Sequence, residues 1–146
     1  MAAAKSFRDL NVYQLAREAS GTVFRLSKSF PKEERFSLTD QIRRSSRAVN
    51  AMLAEAWARR RYKASFINKI DEALGEAMET QAWLDHALDS GYLTQLEFDA
   101  SDASFRSVSA MLARMIDRAG DFCKNASDTD YRSVDPRDSE SPITPH

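Results

Sequence analysis

Apolar positions along this chain recur at alternating steps of three and four, the spacing that holds one face of an α-helix in register. Four such stripes can be followed. The first is Val12, Ala16, Ala19, Val23, Leu26, Phe30, and the second is Leu38, Ile42, Ser45, Val49, Met52, Ala56. The third is Ile67, Ile70, Leu74, Ala77, Gln81, Leu84, Leu88, and the fourth is Phe98, Ser101, Phe105, Val108, Leu112, Met115, Ala119, Phe122. None alternates as a half-buried strand does. The punctuation agrees with four helices. Phe30-Pro31 closes the first, because proline disfavours helical geometry in the residue before it. Gly91 follows the third stripe, where a helix end favours a left-handed residue. Thr94 and Glu97 have the spacing of a capping box that opens the fourth helix. Between the second and third stripes there is neither Gly nor Pro, and a short turn is expected near Arg60.

Four amphipathic helices with short connections bury their stripes best as an antiparallel, up-down four-helix bundle, so the expected fold class is all-α. Gly21 and Gly75 fall inside predicted helices, at about 1 kcal/mol each relative to Ala. Each marks either a close helix crossing or a tolerated glycine. After Lys124 the periodicity stops, and NASDTDYRSVDPRDSESPITPH is polar. The expected organisation is a bundle domain over residues 1–123 and a disordered polar tail over residues 124–146.

Composition narrows the class. The chain has 146 residues, enough for one domain with a core, and 42% of them are hydrophobic,. Its single cysteine excludes an intramolecular disulfide and fits a reducing compartment,. The start, MAAAKSFRDL, lacks the apolar stretch of a signal peptide, and no run approaches the roughly 18 apolar residues of a membrane span. A cytoplasmic protein with no membrane segment is expected.

Charge adds what the stripes do not show. The net charge is only -1. Yet Gln41–Lys63 holds seven bases (Arg43, Arg44, Arg47, Arg59, Arg60, Arg61, Lys63) and one acid, Glu55, a local net of +6. Asp71–Asp102 holds nine acids and no Lys or Arg, a local net of −9. The near-zero total hides a bipolar surface. On a wheel at 100° per residue, Arg43, Arg44 and Arg47 fall on the side away from Ile42, Val49 and Met52. Arg59, Arg60, Arg61 and Lys63 gather at the following turn with Trp57 and Tyr62. A basic run interleaved with aromatics suits phosphate backbones and stacked bases. A solvated face without a partner is the plain alternative, since any amphipathic helix carries charge opposite its core. A third reading docks the basic face on acids of a neighbouring subunit (Glu72, Glu76, Glu79, Asp85), a heterologous contact that closes into a ring if the rotation allows.

Catalytic chemistry is not visible. A di-iron bundle needs Glu-x-x-His on two helices, and the two histidines, His86 and His146, do not supply it. Cys123 reads as a small apolar filler near a helix end. No Gly-rich phosphate loop and no G-x-S-x-G is present. A protein that is not an enzyme, with no cofactor and no metal, is expected.

FRDLNVYQLARE (Phe7–Glu18) followed by FPKEERFSLTDQIRRSSRAVNAMLAEAW (Phe30–Trp57) resembles the small bacterial four-helix-bundle family first noted as an open reading frame inside 23S ribosomal RNA intervening sequences. The family pattern falls on Phe7, Leu10, Val12, Tyr13, Ala16; on Phe30, Pro31, Glu34, Leu38, Gln41, Ile42, Arg43, Arg44; and on Ala54 and Glu55. ETQAWLDHALDSGYL (Glu79–Leu93) is similar to one branch of the family. Where the family has Ser, Asn and Gly, this chain has Ala48, Met52 and Ala56. The resemblance covers about residues 7–122. It implies an antiparallel bundle assembled as a homopentamer. It also implies kinship with the accessory variability determinant of diversity-generating retroelements, a basic protein that binds nucleic acid and a reverse transcriptase. The resulting expectation is a non-enzymatic, homo-oligomeric accessory protein that engages RNA or DNA phosphates through Arg43, Arg44, Arg47, Arg59, Arg60, Arg61 and Lys63. The alternative is a homo-oligomeric interaction scaffold whose basic and acidic faces pair between subunits, without nucleic acid.

Overall fold

A computed structural model describes residues 3–123. The sequence expectation for residues 124–146 lies outside the described residues. Four long helices make the body: α1 (Asn11–Ser27), α2 (Leu38–Ala58), α3 (Lys63–Asp89) and α4 (Gln95–Asp117), followed by a short α5 (Ala119–Cys123). Each long helix packs on its two neighbours in the order α1, α2, α3, α4 and back to α1, with α2–α3 the most extensive seam. Short connections make successive helices antiparallel, so the chain is an up-down four-helix bundle. Among the described residues there is no strand, and no helix is long and apolar enough to cross a membrane.

Local chemistry sets the helix ends. A 3-10 turn (Phe7–Asp9) leads into α1. It is fixed by Ser6, whose hydroxyl accepts from the Arg8 amide, and by Asp9, whose carboxylate accepts from the Ser6 amide. This Ser-x-x-Asp capping box was not anticipated from the sequence. The one expected at Thr94 is present: the Glu97 amide donates to Thr94 Oγ1 at 3.1 Å, and Glu97 Oε1 accepts from the Thr94 amide at 2.9 Å,. Gly91 takes φ 78°, the left-handed value predicted for a residue just past a helix end,. The α2–α3 turn runs over residues 59–62, around the expected Arg60.

Two boundaries differ from the expected ones. α1 ends at Ser27, three residues before Phe30. The hydroxyls of Ser27 and Ser29 donate to the carbonyls of Phe24 and Leu26, and the chain from Lys28 to Phe30 tightens into i→i−3 bonds,. The fourth stripe is split at Arg118, where φ −108°, ψ 25° breaks the helix. Its apolar register survives the break: Ala119 is buried and Phe122 stacks on Phe66 with ring centroids 5.8 Å apart.

The core is one cluster built from all four stripes, with Phe66, Phe105, Ile42, Leu53, Ile70, Leu84 and Leu112 fully buried. In α2, Leu53 is buried where the stripe named Met52, which is half-buried. In α3 the buried line is Phe66, Ile70, Ala73, Ala77, Thr80, Leu84, Ala87. Ile67, Leu74, Gln81 and Leu88 are half-buried. Polar side chains inside the bundle are largely paired, with Ser45 and Thr80 sharing a 2.8 Å hydrogen bond across the α2–α3 seam,. Gly21 and Gly75 do not mark close crossings. A Cβ at Gly75 meets nothing within 4 Å, and one at Gly21 meets only the end of Arg25 at 3.5 Å.

Candidate nucleic-acid interface

The helical repeat of α2 divides its arginines before any contact is considered. Arg43 and Arg47 are one turn apart and lie about 40° from each other around the axis, whereas Arg44 is about 100° from Arg43. The first two therefore lean toward α1 and the third toward α3. Arg44 donates through Nη1 to Glu76 at 3.2 Å and through Nη2 to Glu79, and Glu79 also accepts from Trp83 Nε1 at 3.1 Å. Partial burial alone would lower the Arg44 pKa, but the Glu76 and Glu79 carboxylates more than offset it and hold the guanidinium above its ordinary value,. Arg44 is thus neutralised within its own chain.

Arg43 and Arg47 are held differently. The Arg43 Nε donates to Ser27 Oγ at 2.7 Å. The Phe24 ring carries three cations: Arg43 Cζ at 4.7 Å from its centroid, Arg47 Cζ at 5.1 Å and Lys28 Nζ at 5.0 Å,. Among the described residues, neither Arg43 nor Arg47 meets a carboxylate at salt-bridge distance. The edge of α2 facing α1 therefore holds two guanidinium groups positioned by a ring and a hydroxyl, with their charge uncompensated.

A second basic group forms the α2–α3 turn. Arg59 Nη1 donates to Ser65 Oγ at 3.4 Å. Arg60 lies 3.5 Å over the Trp57 ring and donates through Nε to the Trp57 carbonyl. Arg61 lies 5.2 Å over Tyr62 and donates to its hydroxyl at 2.8 Å. Lys63 begins α3. Cys123 is brought close to this group. Burial raises its pKa, and the nearby charges of Arg60 and Lys63 only partly offset the rise, so its thiol stays protonated at neutral pH,.

The four acids named as a candidate subunit interface divide as well. Glu76 and Glu79 hold Arg44, and Glu72 accepts from Lys69 at 2.8 Å, while Lys69 lies 3.7 Å from Glu55. Asp85 is exposed. Among the described residues no group of His, Cys, Asp and Glu is arranged to hold a metal ion. Three participants escaped the sequence argument: Phe24, Ser27 and Lys28. The one available signal was an aromatic on the polar side of the first stripe, next to Val23. A concavity along α1 is lined in part by Arg8, Arg17 and Arg25 together with one acid, Glu18.

The chain is similar to known proteins over this same body. A family model described as 23S rRNA-intervening sequence protein matches residues 8–114. A solved structure from Bacteroides thetaiotaomicron, a protein with unknown function from the S23 ribosomal protein family, is 28% identical. The match covers 73% of this chain and 95% of that one, with a TM-score of 0.66. No curated protein matches.

Proposed function

The chain belongs to the 23S rRNA-intervening sequence protein family, and on that premise we propose that it is a non-catalytic, homo-oligomeric accessory protein that binds RNA or DNA through phosphate contacts. The reading is carried by Arg43 and Arg47, two uncompensated guanidinium groups braced on Phe24 beside Lys28. A guanidinium offers a planar fork of donors to a phosphate. The Arg43 Nε is engaged by Ser27, which orients the side chain and leaves its two Nη groups for a ligand. The residues at the α2–α3 turn (Arg59, Arg60, Arg61) and the first residue of α3 (Lys63) add a second basic group just past the end of α2. Arg44 does not belong to this set, because Glu76 and Glu79 already balance it.

Fluorescence anisotropy with labelled nucleic acid, titrated with salt, tests the reading. Micromolar or tighter binding is expected, with log affinity falling linearly with log salt. Arg43→Gln/Arg47→Gln should weaken binding about tenfold or more and reduce the salt slope by about 2, one for each phosphate that is no longer neutralised. Arg44→Gln should change the slope little. Light scattering on the same samples reports the oligomer, a homopentamer if the family resemblance holds. No binding at low salt by an intact oligomer would eliminate the nucleic-acid reading and leave the scaffold reading in its place.

A further inference from the structure

Resting on that reading, we infer that the ligand is a duplex recognised through its backbone, and not a single strand recognised through its bases. The observation is the state of the aromatic rings on the basic side. Single-stranded nucleic acid is held by bases stacked on open aromatic faces, interleaved with cations that follow the backbone. The basic stretch has the composition for that, with Trp57 and Tyr62 among its arginines. The side chains do not offer it. Arg60 lies 3.5 Å over Trp57. Arg61 lies over Tyr62 and also bonds its hydroxyl. Phe24 carries Lys28, Arg43 and Arg47. Toward the start of α1, Arg8 lies 4.6 Å over Phe7, which packs edge-on against Tyr13 with centroids 5.0 Å apart. Each of these rings serves as a support for a cation or for another ring, and a base would have to displace its occupant to stack there. Two rings are exceptions in part: Tyr62, 61% exposed, and Phe36, 84% exposed with Arg35 5.3 Å over its ring. They flank opposite ends of α2, about 30 Å apart at the helical rise, and two rings at that separation do not make a platform for successive bases,.

Spacing points the same way. α2 is a rigid rod between the two basic groups. The backbone positions of Arg47 and Arg59 are twelve residues apart, about 18 Å along the axis and about 120° around it. Charges fixed at that separation favour phosphates whose positions are also fixed, as they are in a duplex. A flexible strand gains from such an arrangement only after losing its own freedom. The surface is therefore suited to a charge pattern and carries no means of reading sequence, since sequence is read at base edges. The shared ligand chemistry is the duplex backbone. A structured RNA and a DNA duplex are its two sources, and they differ in groove geometry.

The test compares full-length protein binding to four probes of equal length: a single strand containing 2-aminopurine, its RNA duplex, its DNA duplex and a duplex of shuffled sequence. The RNA duplex and the DNA duplex should each bind better than the single strand, the preferred one at least tenfold. The shuffled duplex should differ from its parent by less than twofold. The RNA-to-DNA ratio identifies the source. The 2-aminopurine signal should stay at the level seen with a neutral control protein, and Tyr62→Ala should leave that signal unchanged. Tighter binding to the single strand, with quenching that Tyr62→Ala abolishes, would overturn this inference while leaving phosphate binding intact. Absence of binding to all four probes would overturn both.

Discussion

Gly75 lies inside α3, with nothing within 4 Å of the place its Cβ would occupy. Its backbone is helical, so the glycine contributes freedom to the unfolded chain and nothing to the folded one. Gly75→Ala should therefore stabilise the protein by about 0.5–1 kcal/mol. Thermal denaturation reads this as a Tm rise of a few degrees, and a fall would mean that the position touches something in the assembled protein. A second residue-scale consequence concerns Glu34. Its carboxylate accepts from Ser37 Oγ at 2.6 Å and from the Tyr92 hydroxyl at 2.9 Å. Those bonds, Ser37 first, hold its pKa below the ordinary value,. The folded state then binds fewer protons than the unfolded one. The stabilisation is complete above the ordinary glutamate value of about 4.3 and is lost as pH falls through the lower folded value. Tyr92 is raised in turn, chiefly by the same bond, so its contribution is present below its ordinary value of about 10 and lost as pH rises through the higher folded one,. NMR titration of the Glu34 carboxyl should show its pKa move upward in Ser37→Ala and, by less, in Tyr92→Phe. An unmoved pKa in both variants would show that neither hydroxyl bonds to it in solution.

At the scale of the elements, the α2–α3 seam carries both the most visible polar contact and the largest share of packing. The Arg44 clasp onto Glu76 and Glu79 looks like a fastener. Its arginine side chain is 46% exposed, however, and exposed ion pairs contribute about 0–1 kcal/mol, less at high salt. Arg44→Gln should cost no more than about 1 kcal/mol of stability in urea denaturation, whereas Leu84→Ala, in the core beneath α3, should cost about 2–5 kcal/mol as a cavity in dense packing. A loss from Arg44→Gln as large as that from Leu84→Ala would reverse the ranking. The helices themselves were legible in the sequence because three-and-four spacing is hard to imitate, and the Thr94 cap and Gly91 stop are local signals. The face of α3 was less so. That helix packs on both α2 and α4, and its buried line includes Ala73, Thr80 and Ala87, small residues that the third stripe did not contain. In the candidate site, the charge of the arginines was legible but their division was not. Whether an arginine meets Glu76 or Phe24 depends on which helix lies on each side of α2, and residues far apart in sequence decide it.

On the scale of the whole molecule, the chain places two uncompensated arginines along the α1 edge of α2, further basic residues at the α2–α3 turn, and an excess of acid on α3 and the start of α4. Two uses of that asymmetry compete. Either it orients the protein on a polyanion, with the acidic side repelled outward, or it joins one subunit to the next. The intrachain pairs weigh against the second use as first framed, because Glu72, Glu76 and Glu79 already have cationic partners in their own chain. A subunit contact built on this asymmetry would have to draw on exposed acids such as Asp85. Reversing charge on each side separates the two uses. Arg47→Glu should reduce duplex affinity by about tenfold or more while the oligomeric mass from sedimentation stays that of the wild type, and Asp85→Lys should leave the mass unchanged and hold or increase duplex affinity. If instead each reversal alone dissociates the oligomer and the pair together restores it, the two charges meet across a subunit boundary. The uncompensated arginine edge then belongs to the assembly and not to a nucleic acid.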